Sequence, residues 1–314
     1  MSRVAVFGSY VMDLTCFAPR IPKIGETVFS DRFKMGPGGK GFNQAVAAQK
    51  SGANTLFMTK IGKDLFNSFV KESFKRFGLS TKYLLESDMF GTGVALITVD
   101  ITSGHNSISV VPNACEHITI DEVEKYAYEM LQNSDLLLTQ LESNLEATYK
   151  FIEIAHSMGK TVVLNAAPFR PIGENVLKNV DIIILNEIEA SQMTGIDISN
   201  FDIESIKKAS KKLENLVSTV IFTLGEKGSY CTKVFTNNLI PSVKVKSIDT
   251  TGAGDAFVGI FCNYFADGYS LNESIKYATV GAALSTTKEG TAPSMPSLEE
   301  IREFYKNIFE KEGE

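Results

Sequence analysis

The sequence predicts an α/β protein in which a large, mainly parallel sheet is covered by helices on both faces. From residue 121 onward, apolar stretches of strand length alternate regularly with helical patterns, which is typical of such a sheet. Polar residues follow the ends of these strands, where open α/β sheets bind ligands. A glycine-rich turn at residues 249–255 also opens an uncharged helix. Together these observations predict a ligand crevice along one edge of the sheet.

Composition sets the broad class of protein. The 314 residues are enough for one large α/β domain or two smaller ones. A net charge of −6 disfavours a dedicated nucleic-acid binder. The longest apolar runs, such as Ile182 to Leu185, have strand length and are too short to span a membrane. The chain enters a strand at once without a signal peptide, and its four widely spaced cysteines predict free thiols, so we expect a cytoplasmic protein.

The first strand, Arg3 to Phe7, ends in a glycine turn at Gly8, which raises the question of a dinucleotide-binding fold. That fold requires further glycines directly after this position, and the chain has none, which disfavours a dehydrogenase. Asp13 is the first polar side chain of interest beyond the strand. On this pattern alone it is either a ligand-binding residue or an Asp that caps a turn.

Two segments interrupt the alternation of strands and helices and predict a small separate β layer. Residues 14–35 contain Pro19 and Pro22 and a short alternating run at 26–29 in place of a helix. Residues 93–99 and 107–111 form a predicted hairpin, within the wider segment 91–111. We therefore expect two insertions in one α/β domain that spans residues 1–314.

A second glycine-rich turn, residues 36–41, opens a helix of small residues. It is not a phosphate-binding P-loop, because Lys34 and Gly41 stand where that motif requires Gly and Ser or Thr. The glycines allow the backbone to approach a ligand, and Asn43 in the first helical turn can hydrogen-bond to hydroxyl groups. A simple loop before a tightly packed helix explains the same pattern equally well.

The remaining elements follow from periodicity. Strands are predicted at residues 55–62, 135–140, 161–165, 181–186, 219–224 and 243–246, and Asp64 is predicted to cap a helix that runs to Phe77. The polar residues at the strand ends are Glu142, Asn165, Asn186, Glu189, Thr223 and Gly225. Helices are predicted at 271–287 and 298–309. The loop between them, 288–294, is either an ordinary connection or a source of oxygen ligands for a hard cation.

The turn at residues 249–255 sits between a predicted strand and the apolar helix. Backbone N–H groups and the positive end of a helix dipole converge at such a turn, and they bind phosphate without a cationic side chain. Asp255 in the first helical turn would repel phosphate unless it takes a proton from an attacking hydroxyl. The alternative, that Asp255 only complements the helix dipole, has about equal support from this stretch alone.

Five motifs, in order along nearly the whole chain, resemble those of the ribokinase-like (PfkB) carbohydrate kinases, of the ribokinase type. They are Gly-Gly-Lys-Gly-x-Asn-Gln-Ala at 38–45, Gln-Leu-Glu at 140–142, Asn-Glu-x-Glu-Ala at 186–190, Thr-Leu-Gly-x-x-Gly at 223–228 and Asp-Thr-Thr-Gly-Ala-Gly-Asp at 249–255. The resemblance implies a ribokinase-like fold with a large sheet and a small β lid over a sugar site. The two segments that interrupt the alternation stand where that lid belongs, and the lid often forms a homodimer interface.

The resemblance also implies a role for individual residues in an ATP-dependent sugar kinase, with D-ribose as the expected substrate and ribose 5-phosphate as the product. Asp255 matches the catalytic base, and Gly252, Ala253 and Gly254 match the anion hole that stabilises the transferred phosphoryl group. The sugar-binding set is Asp13, Gly39, Lys40, Asn43 and Glu142. The ATP set is Asn186, Thr223, Gly225, Gly228, Gly254 and Thr279. Asn186 and Glu189 match the magnesium motif, largely through water, and the activating potassium site is matched by Asp249, Thr251, Ser285, Lys288, Gly290 and Ser294.

One position departs from the pattern of the family. Ribokinases place an Asn two residues before the sugar-binding Asp, and this chain has Val11. Valine cannot hydrogen-bond to a sugar hydroxyl, so a ribose hydroxyl that faces it would lose about 1–3 kcal/mol if it stays buried and unpaired. We therefore expect weak or inverted discrimination against 2-deoxyribose. A kinase for another small sugar or a nucleoside, and a sugar or nucleotide sensor without catalysis, are the remaining alternatives.

Overall fold

The protein is described by a computed structural model that covers residues 1–234 and 238–310. Its strands are β1 Arg3–Phe7, β2 Val11–Ala18, β3 Arg32–Gly38, β4 Asn54–Gly62, β5 Leu84–Ser87, β6 Gly93–Asp100, β7 Asn106–Val111, β8 Leu136–Thr139, β9 Thr161–Asn165, β10 Ile182–Asn186, β11 Thr219–Thr223, β12 Ser229–Cys231 and β13 Leu239–Ile240. Its α-helices are α1 Lys40–Lys50, α2 Asn67–Arg76, α3 Ile120–Gln132, α4 Leu145–Ser157, α5 Glu174–Leu177, α6 Glu187–Thr194, α7 Ile203–Glu214, α8 Ala253–Ala266, α9 Leu271–Ser285 and α10 Leu298–Tyr305.

The predicted mixed α/β fold is confirmed. Within the described residues, nine strands form a large sheet in the order β13-β12-β11-β10-β9-β8-β1-β4-β5. The strands from β11 to β5 pair in parallel, and β12 and β13 extend the sheet in antiparallel pairing. The carboxyl ends of the parallel strands therefore meet at one edge, which is where the predicted site residues follow their strands.

The large sheet is buried on both faces, and most positions of its central strands are apolar. Val4 and Val6 pack with α1, α2, α8, α9 and α10 on one face. Ala5 and Phe7, which alternate with them, pack with α3, α4, α6 and α7 on the other. Side chains that alternate along a strand point to opposite faces, so an uninterrupted apolar run is required when both faces are covered. Among the described residues, no helix is long and apolar enough to cross a membrane.

A second sheet is formed by the segments that interrupt the predicted alternation. It has the order β3-β2-β6-β7 within the described residues, with β2 and β6 parallel and the other two pairs antiparallel. The predicted hairpin of β6 and β7 is confirmed. The predicted bounds of the first insertion, residues 14–35, fall inside two strands, because β2 begins earlier, at Val11, and β3 ends later, at Gly38.

Three local predictions were wrong. No strand forms at 26–29, where Glu26 instead closes a turn with its N–H on the Lys23 carbonyl and its carboxylate on Arg20. No strand forms at 243–246: β13 ends at Ile240, and the next residue, Pro241, has no N–H to continue the ladder. Asp64 does not cap α2: its carboxylate accepts from Phe66 and Thr92, and the helix begins at Asn67.

Candidate active site

The turn before α8 is shaped by a glycine in the left-handed region. Gly252 has φ +80°, and a Cβ atom there would lie 3.3 Å from Thr291 Cα, so a larger residue would be strained and crowded. Ala253 donates its N–H to the Thr250 carbonyl at 3.3 Å. The N–H groups in the first turn of a helix, including that of Gly254, have no acceptor within the helix, and the dipole adds positive potential there. This end of α8 is therefore suited to an anion.

The anion-binding end of α8 opens into a cavity of about 200 Å³, here called the Asp255 cavity. It lies beyond the carboxyl ends of β9, β10 and β11, at the edge of the sheet where a ligand was predicted. The described residues that line it come from five separate segments: Lys40, Asn165, Ala167, Ile184, Asn186, Glu189, Thr223, Gly252, Gly254, Asp255 and Val258. Seven of the residues predicted for the site thus face one space.

Asp255 is buried, and both of its carboxylate oxygens are held by amides from α1. Asn43 Nδ2 donates to Oδ2 at 3.0 Å, and Gln44 Nε2 donates to Oδ1 at 2.9 Å. Asn43 Oδ1 is buried without a hydrogen-bond partner in the described structure, so it is available to accept from a ligand hydroxyl. A carboxylate fixed in this way beside an anion site can accept a proton from a hydroxyl placed between them.

Lys40 brings a positive charge to the same cavity. Burial lowers the pKa of its ammonium group, but Asp255, Glu142 and Glu189 outweigh that effect and hold the pKa above its usual range. The backbone N–H of Lys40 donates to Glu142 Oε2 at 2.8 Å, and the Ser9 hydroxyl donates to the same oxygen. The first turn of α1 is therefore tied to the loops that follow β1 and β8.

Asn186 and Glu189 form a capping box at the start of α6. Asn186 Oδ1 accepts from the Glu189 N–H at 2.8 Å, and Glu189 Oε2 accepts from the Asn186 N–H at 2.9 Å. Burial raises the pKa of the Glu189 carboxyl, and Asp255 and Glu187 act in the same direction against Lys40. Both residues line the Asp255 cavity and offer oxygen donors, the type that magnesium prefers.

Asp13 faces a second cavity of about 260 Å³, between the small sheet and the loops at 248–251 and 289–293; we call it the Asp13 cavity. Burial, followed by the charges of Glu142 and Asp255, raises the pKa of Asp13 to about 7. Asp249, Thr251 and Gly290 line the same cavity on its other side. One predicted sugar-binding residue, Asp13, and three of the six predicted potassium residues thus line the same cavity.

The two segments predicted for potassium lie against each other. The N–H groups of Ile248 and Asp249 donate to the Thr286 carbonyl at 2.7 and 3.1 Å. The Asp249 carboxylate accepts from the N–H groups of Thr251 and Gly290, each at 2.9 Å. The other side chains of the set are used elsewhere: the hydroxyls of Ser285 and Ser294 donate to Ala282 and Thr291 carbonyls, and Lys288 pairs with Glu300. A cation here would therefore be bound mainly by carbonyl oxygens and Asp249.

Among the predicted residues, those that line neither of these two cavities are Val11, Gly39, Asn43, Glu142, Gly225, Gly228, Ala253, Thr279, Ser285, Lys288 and Ser294. Val11 is buried at the start of β2, Gly225 opens a short 3₁₀ turn, and Thr279 lies within α9 with its hydroxyl on the Ile275 carbonyl. Gly228 has φ +95°, and a Cβ there would lie 2.0 Å from the Ile240 carbonyl oxygen. The close approach of β13 is thus a sufficient reason for glycine at 228.

The sequence did not identify four residues that support the site: Ser9, Gln44, Gln140 and Asn165. Gln44 contacts Asp255, and Gln140 Nε2 donates to Gln44 Oε1 at 2.7 Å. The position of Asn165 at a strand end predicts that it borders the crevice, but it does not indicate which group Asn165 contacts. Gln44 and Gln140 stand inside recognised motifs beside more prominent residues, and only the fold shows that the two motifs touch.

A carboxylate beside a helix N-terminus, with a half-buried lysine and oxygen donors around one cavity, has the composition expected of a phosphoryl-transfer enzyme. The model of the pfkB family of carbohydrate kinases matches residues 1–298. The chain belongs to this family and is a carbohydrate kinase of the ribokinase type, as the motifs predicted.

Relatives and solved structures cover nearly the whole chain. A deoxyribokinase of Salmonella typhi is 35% identical over 303 residues, which are 96% of this chain and 98% of the relative. A ribokinase of Haemophilus influenzae is 35% identical over 301 residues, 96% and 97% of the two chains. The structure of the Arabidopsis thaliana ribokinase complexed with ribose and ATP aligns with a TM-score of 0.87 and 28% identity, covering 98% of this chain and 99% of that one.

Proposed function

We propose that this chain transfers the γ-phosphoryl group of ATP to the terminal hydroxyl of a pentose, converting D-ribose to ribose 5-phosphate, and that it discriminates weakly against 2-deoxy-D-ribose. The observation that carries the kinase chemistry is the position of Asp255, held by two amides beside the open end of α8. Asp255 accepts the proton of the attacking hydroxyl. The N–H groups of Gly252, Ala253 and Gly254, of which that of Ala253 also contacts the Thr250 carbonyl at 3.3 Å, stabilise the charge that develops on the phosphoryl group.

The nucleotide is proposed to reach the Asp255 cavity from the side of β10 and β11. Thr223 lines that side, and Gly225 follows it, so both lie on the expected path of the phosphates. Gly228 and Thr279 belong to the more distant adenine end of the proposal. Glu189 and Asn186 would hold Mg²⁺ through water and phosphate oxygens, and the ion would neutralise phosphate charge. The oxygen donors in the cavity fit a hard cation.

The sugar is proposed to bind between the Asp13 cavity and Asp255. Asp13 and Glu142 provide carboxylates, and Asn43 provides an unpaired amide oxygen next to the base. Gly39 and Lys40 complete the set at the start of α1. The small sheet covers this space as a lid, because Asp13 belongs to β2 while Asp255 belongs to the large body.

The choice of pentose depends on Val11. It is buried two residues before Asp13 on the same strand, so both side chains point to the same face of the small sheet. A hydroxyl that meets Val11 finds no hydrogen-bond partner, which removes the usual advantage of ribose over its 2-deoxy analogue. A deoxyribokinase and a ribokinase are equally similar to the chain, at 35% identity each. Their names therefore do not favour either sugar.

Potassium activation, dimer formation and a cytoplasmic location complete the proposal. Carbonyl oxygens of the adjacent 249–251 and 285–294 segments, with Asp249, fit a large monovalent cation that orders the turn before α8. The face of the small sheet opposite Asp13 carries Phe33, Met35 and Leu96, which are 66%, 42% and 53% exposed. These residues are proposed to pair with the same face of a second copy. The need for ATP supports a cytoplasmic location.

The proposal is tested by measuring kcat/KM for D-ribose and 2-deoxy-D-ribose in an ATP-coupled assay, in potassium and in sodium salts. We expect the two sugars to differ by less than about tenfold, with higher rates in potassium. Val11→Asn should shift the ratio towards ribose by about tenfold, because it restores one hydrogen bond. Val11→Leu, a control that also enlarges the side chain but keeps it apolar, should leave the ratio unchanged.

Two results would contradict the proposal. A preference of about a thousandfold for ribose in the natural chain would show that every hydroxyl is recognised despite Val11. Turnover of a hexose or a nucleoside at higher kcat/KM than either pentose would assign a different substrate. A sensor without catalysis is disfavoured by the buried base, because binding alone does not require a carboxylate beside an anion site.

A further inference from the structure

Three buried amide side chains connect Asp255 to the interior of the large sheet. Gln140 Nε2 donates to Gln44 Oε1 at 2.7 Å, and Gln44 Nε2 donates both to Asp255 Oδ1 and to Asn165 Oδ1, each at 2.9 Å. Asn165 Nδ2 donates to the backbone carbonyl of Ile184 at 3.0 Å. Gln44 is fully buried and Gln140 is 1% exposed. The contact between Gln140 and Gln44 is therefore shielded from water, while Asn165 and Asp255 border the Asp255 cavity.

The orientation of each amide in this series of hydrogen bonds is set by the final acceptor, the Ile184 carbonyl. A backbone carbonyl can only accept, so the end of Asn165 that meets Ile184 must be its NH₂ group. The oxygen of Asn165 then faces Gln44, which must present its own NH₂ group, and the oxygen of Gln44 faces the NH₂ group of Gln140. Gln44 thus presents a donor to Asp255 in the only orientation that satisfies its neighbours.

The packing of the two helices brings these groups together. A Cβ atom on Gly259, one turn after Asp255, would lie 2.4 Å from the Gln44 carbonyl oxygen and 2.6 Å from Ala47 Cβ. Helices α1 and α8 are therefore in backbone contact at this point, which only glycine permits. The contact places the side chain of Gln44 within hydrogen-bond distance of the carboxylate.

We infer that Gln44 is a positioning residue for phosphoryl transfer: its amide, oriented through Asn165 by the Ile184 carbonyl, holds the Asp255 carboxylate aimed at the sugar hydroxyl. Gln44 holds Oδ1 of the carboxylate, and a second donor, Asn43, holds Oδ2, so the direction of the carboxylate is fixed at both oxygens. Asn43 also faces the proposed sugar site, whereas Gln44 is fully buried and acts only through Asp255. The inference rests on the proposed role of Asp255 as the base.

Two substitutions separate this role from simple packing. Gln44→Met keeps the length of the side chain and removes the amide, and Gln44→Glu keeps the shape and places an oxygen where the donor stands. We expect both to lower kcat by about 10- to 100-fold, because a misplaced base costs rate, with KM for ATP unchanged within about twofold. Gln49→Met is the matched control, since Gln49 is on the same helix but accepts from Thr55 N–H away from the site. It should keep the natural kcat.

A double-mutant cycle with Asp255→Asn shows whether Gln44 acts through Asp255. If it does, adding Gln44→Met to Asp255→Asn has no further effect on kcat, whereas independent packing damage would multiply. The inference is overturned if the folded Gln44→Met protein has natural kcat. It is also overturned if the Gln44→Met substitution lowers kcat by the same factor in the Asp255→Asn protein as in the natural protein. An active Asp255→Asn protein would instead refute the proposed base, so the two failures are distinguishable.

Folding is followed by thermal melting of each variant. If neither Gln44 variant folds, Gln140→Met takes their place, because it removes the donor to Gln44 without touching Asp255. We then expect a smaller loss of kcat, about three- to tenfold, with KM for ATP unchanged. Natural kcat in a folded Gln140→Met protein would overturn the inference.

Discussion

The Asp255 cavity and the small sheet face the same proposed sugar site but are constructed in different ways. Around Asp255, the amides of Gln140, Gln44 and Asn165 are buried and linked by hydrogen bonds that end on the Ile184 carbonyl, although Gln140 Oε1 has no hydrogen-bond partner in the described structure. The small sheet has few buried side chains, and its outer face exposes Phe33 and Leu96. In the proposed function, the chemistry of the reaction depends on the buried interior, and sugar selection and dimer formation depend on the exposed sheet.

This difference indicates how substitutions should behave in the two regions. A change in the buried network leaves a polar group without a partner and alters geometry at the base, so it should affect rate. A change in the small sheet leaves the reacting groups in place, so it should affect substrate preference, stability or association. The following three predictions test that division, from the largest expected effect to the smallest.

The first prediction concerns the base. Asp255→Asn keeps the shape of the side chain and removes its ability to accept a proton, so kcat should fall by about 10²- to 10⁴-fold. ATP affinity, measured by calorimetry, should stay nearly unchanged because the N–H groups of α8 remain in place. Asp267→Asn, at the other end of α8 and paired with the chain N-terminus, is the control and should keep full activity. An active Asp255→Asn protein would show that another group takes the proton.

The second prediction concerns Asp13, whose pKa is raised from 3.8 to about 7 by burial and by two carboxylates. Between these pH values the folded state holds a proton that the unfolded chain has released, so stability falls as pH rises from about 4 to 7 and stays lower above 7. Asp13→Asn removes that loss. The difference in Tm between the Asp13→Asn variant and the natural protein should therefore be larger at pH 8 than at pH 5, by roughly 2–4 °C for each 1 kcal/mol of stability that the natural protein loses over this range. Equal differences at both pH values would contradict the raised pKa.

The third prediction concerns the outer face of the small sheet. Leu96→Lys places a charge among exposed apolar residues and should convert a dimer to a monomer in light scattering, with kcat changed by less than about threefold. Tyr128→Lys on α3, which alters a residue of similar exposure away from this sheet, is the control. A natural protein that is monomeric at micromolar concentration would remove the proposed interface altogether.

The fold could be predicted because periodicity and motif order both carry information about it. The strands at 161–165 and 182–186 follow from unbroken apolar runs, and the two insertions follow from the loss of the helical pattern. The gathering of Lys40, Asn186, Glu189 and Asp255 at one edge follows from the rule that parallel strands end together.

The parts that sequence could not predict depend on contacts between distant segments. The alternation at Val243 and Val245 is typical of a strand, but no strand forms there. Just after it, the N–H groups of Ile248 and Asp249 donate to the Thr286 carbonyl, in a distant part of the sequence, and not to a neighbouring strand. The link from Gln140 to Gln44 joins residues 96 positions apart, and neither has a pattern that indicates the other. Local patterns report which residues are buried, but they do not report which buried polar groups share a hydrogen bond.

The capping box formed by Asn186 and Glu189 would stabilise α6 even in a related protein that no longer transfers phosphate. Each residue satisfies a backbone N–H at the start of α6, so the pair contributes to folding whether or not phosphate is ever transferred. A descendant that lost catalysis would still be selected to retain both residues. The Asn-x-x-Glu pair in a diverged copy is therefore poor grounds for inferring activity, whereas loss of the carboxylate at 255 would be informative.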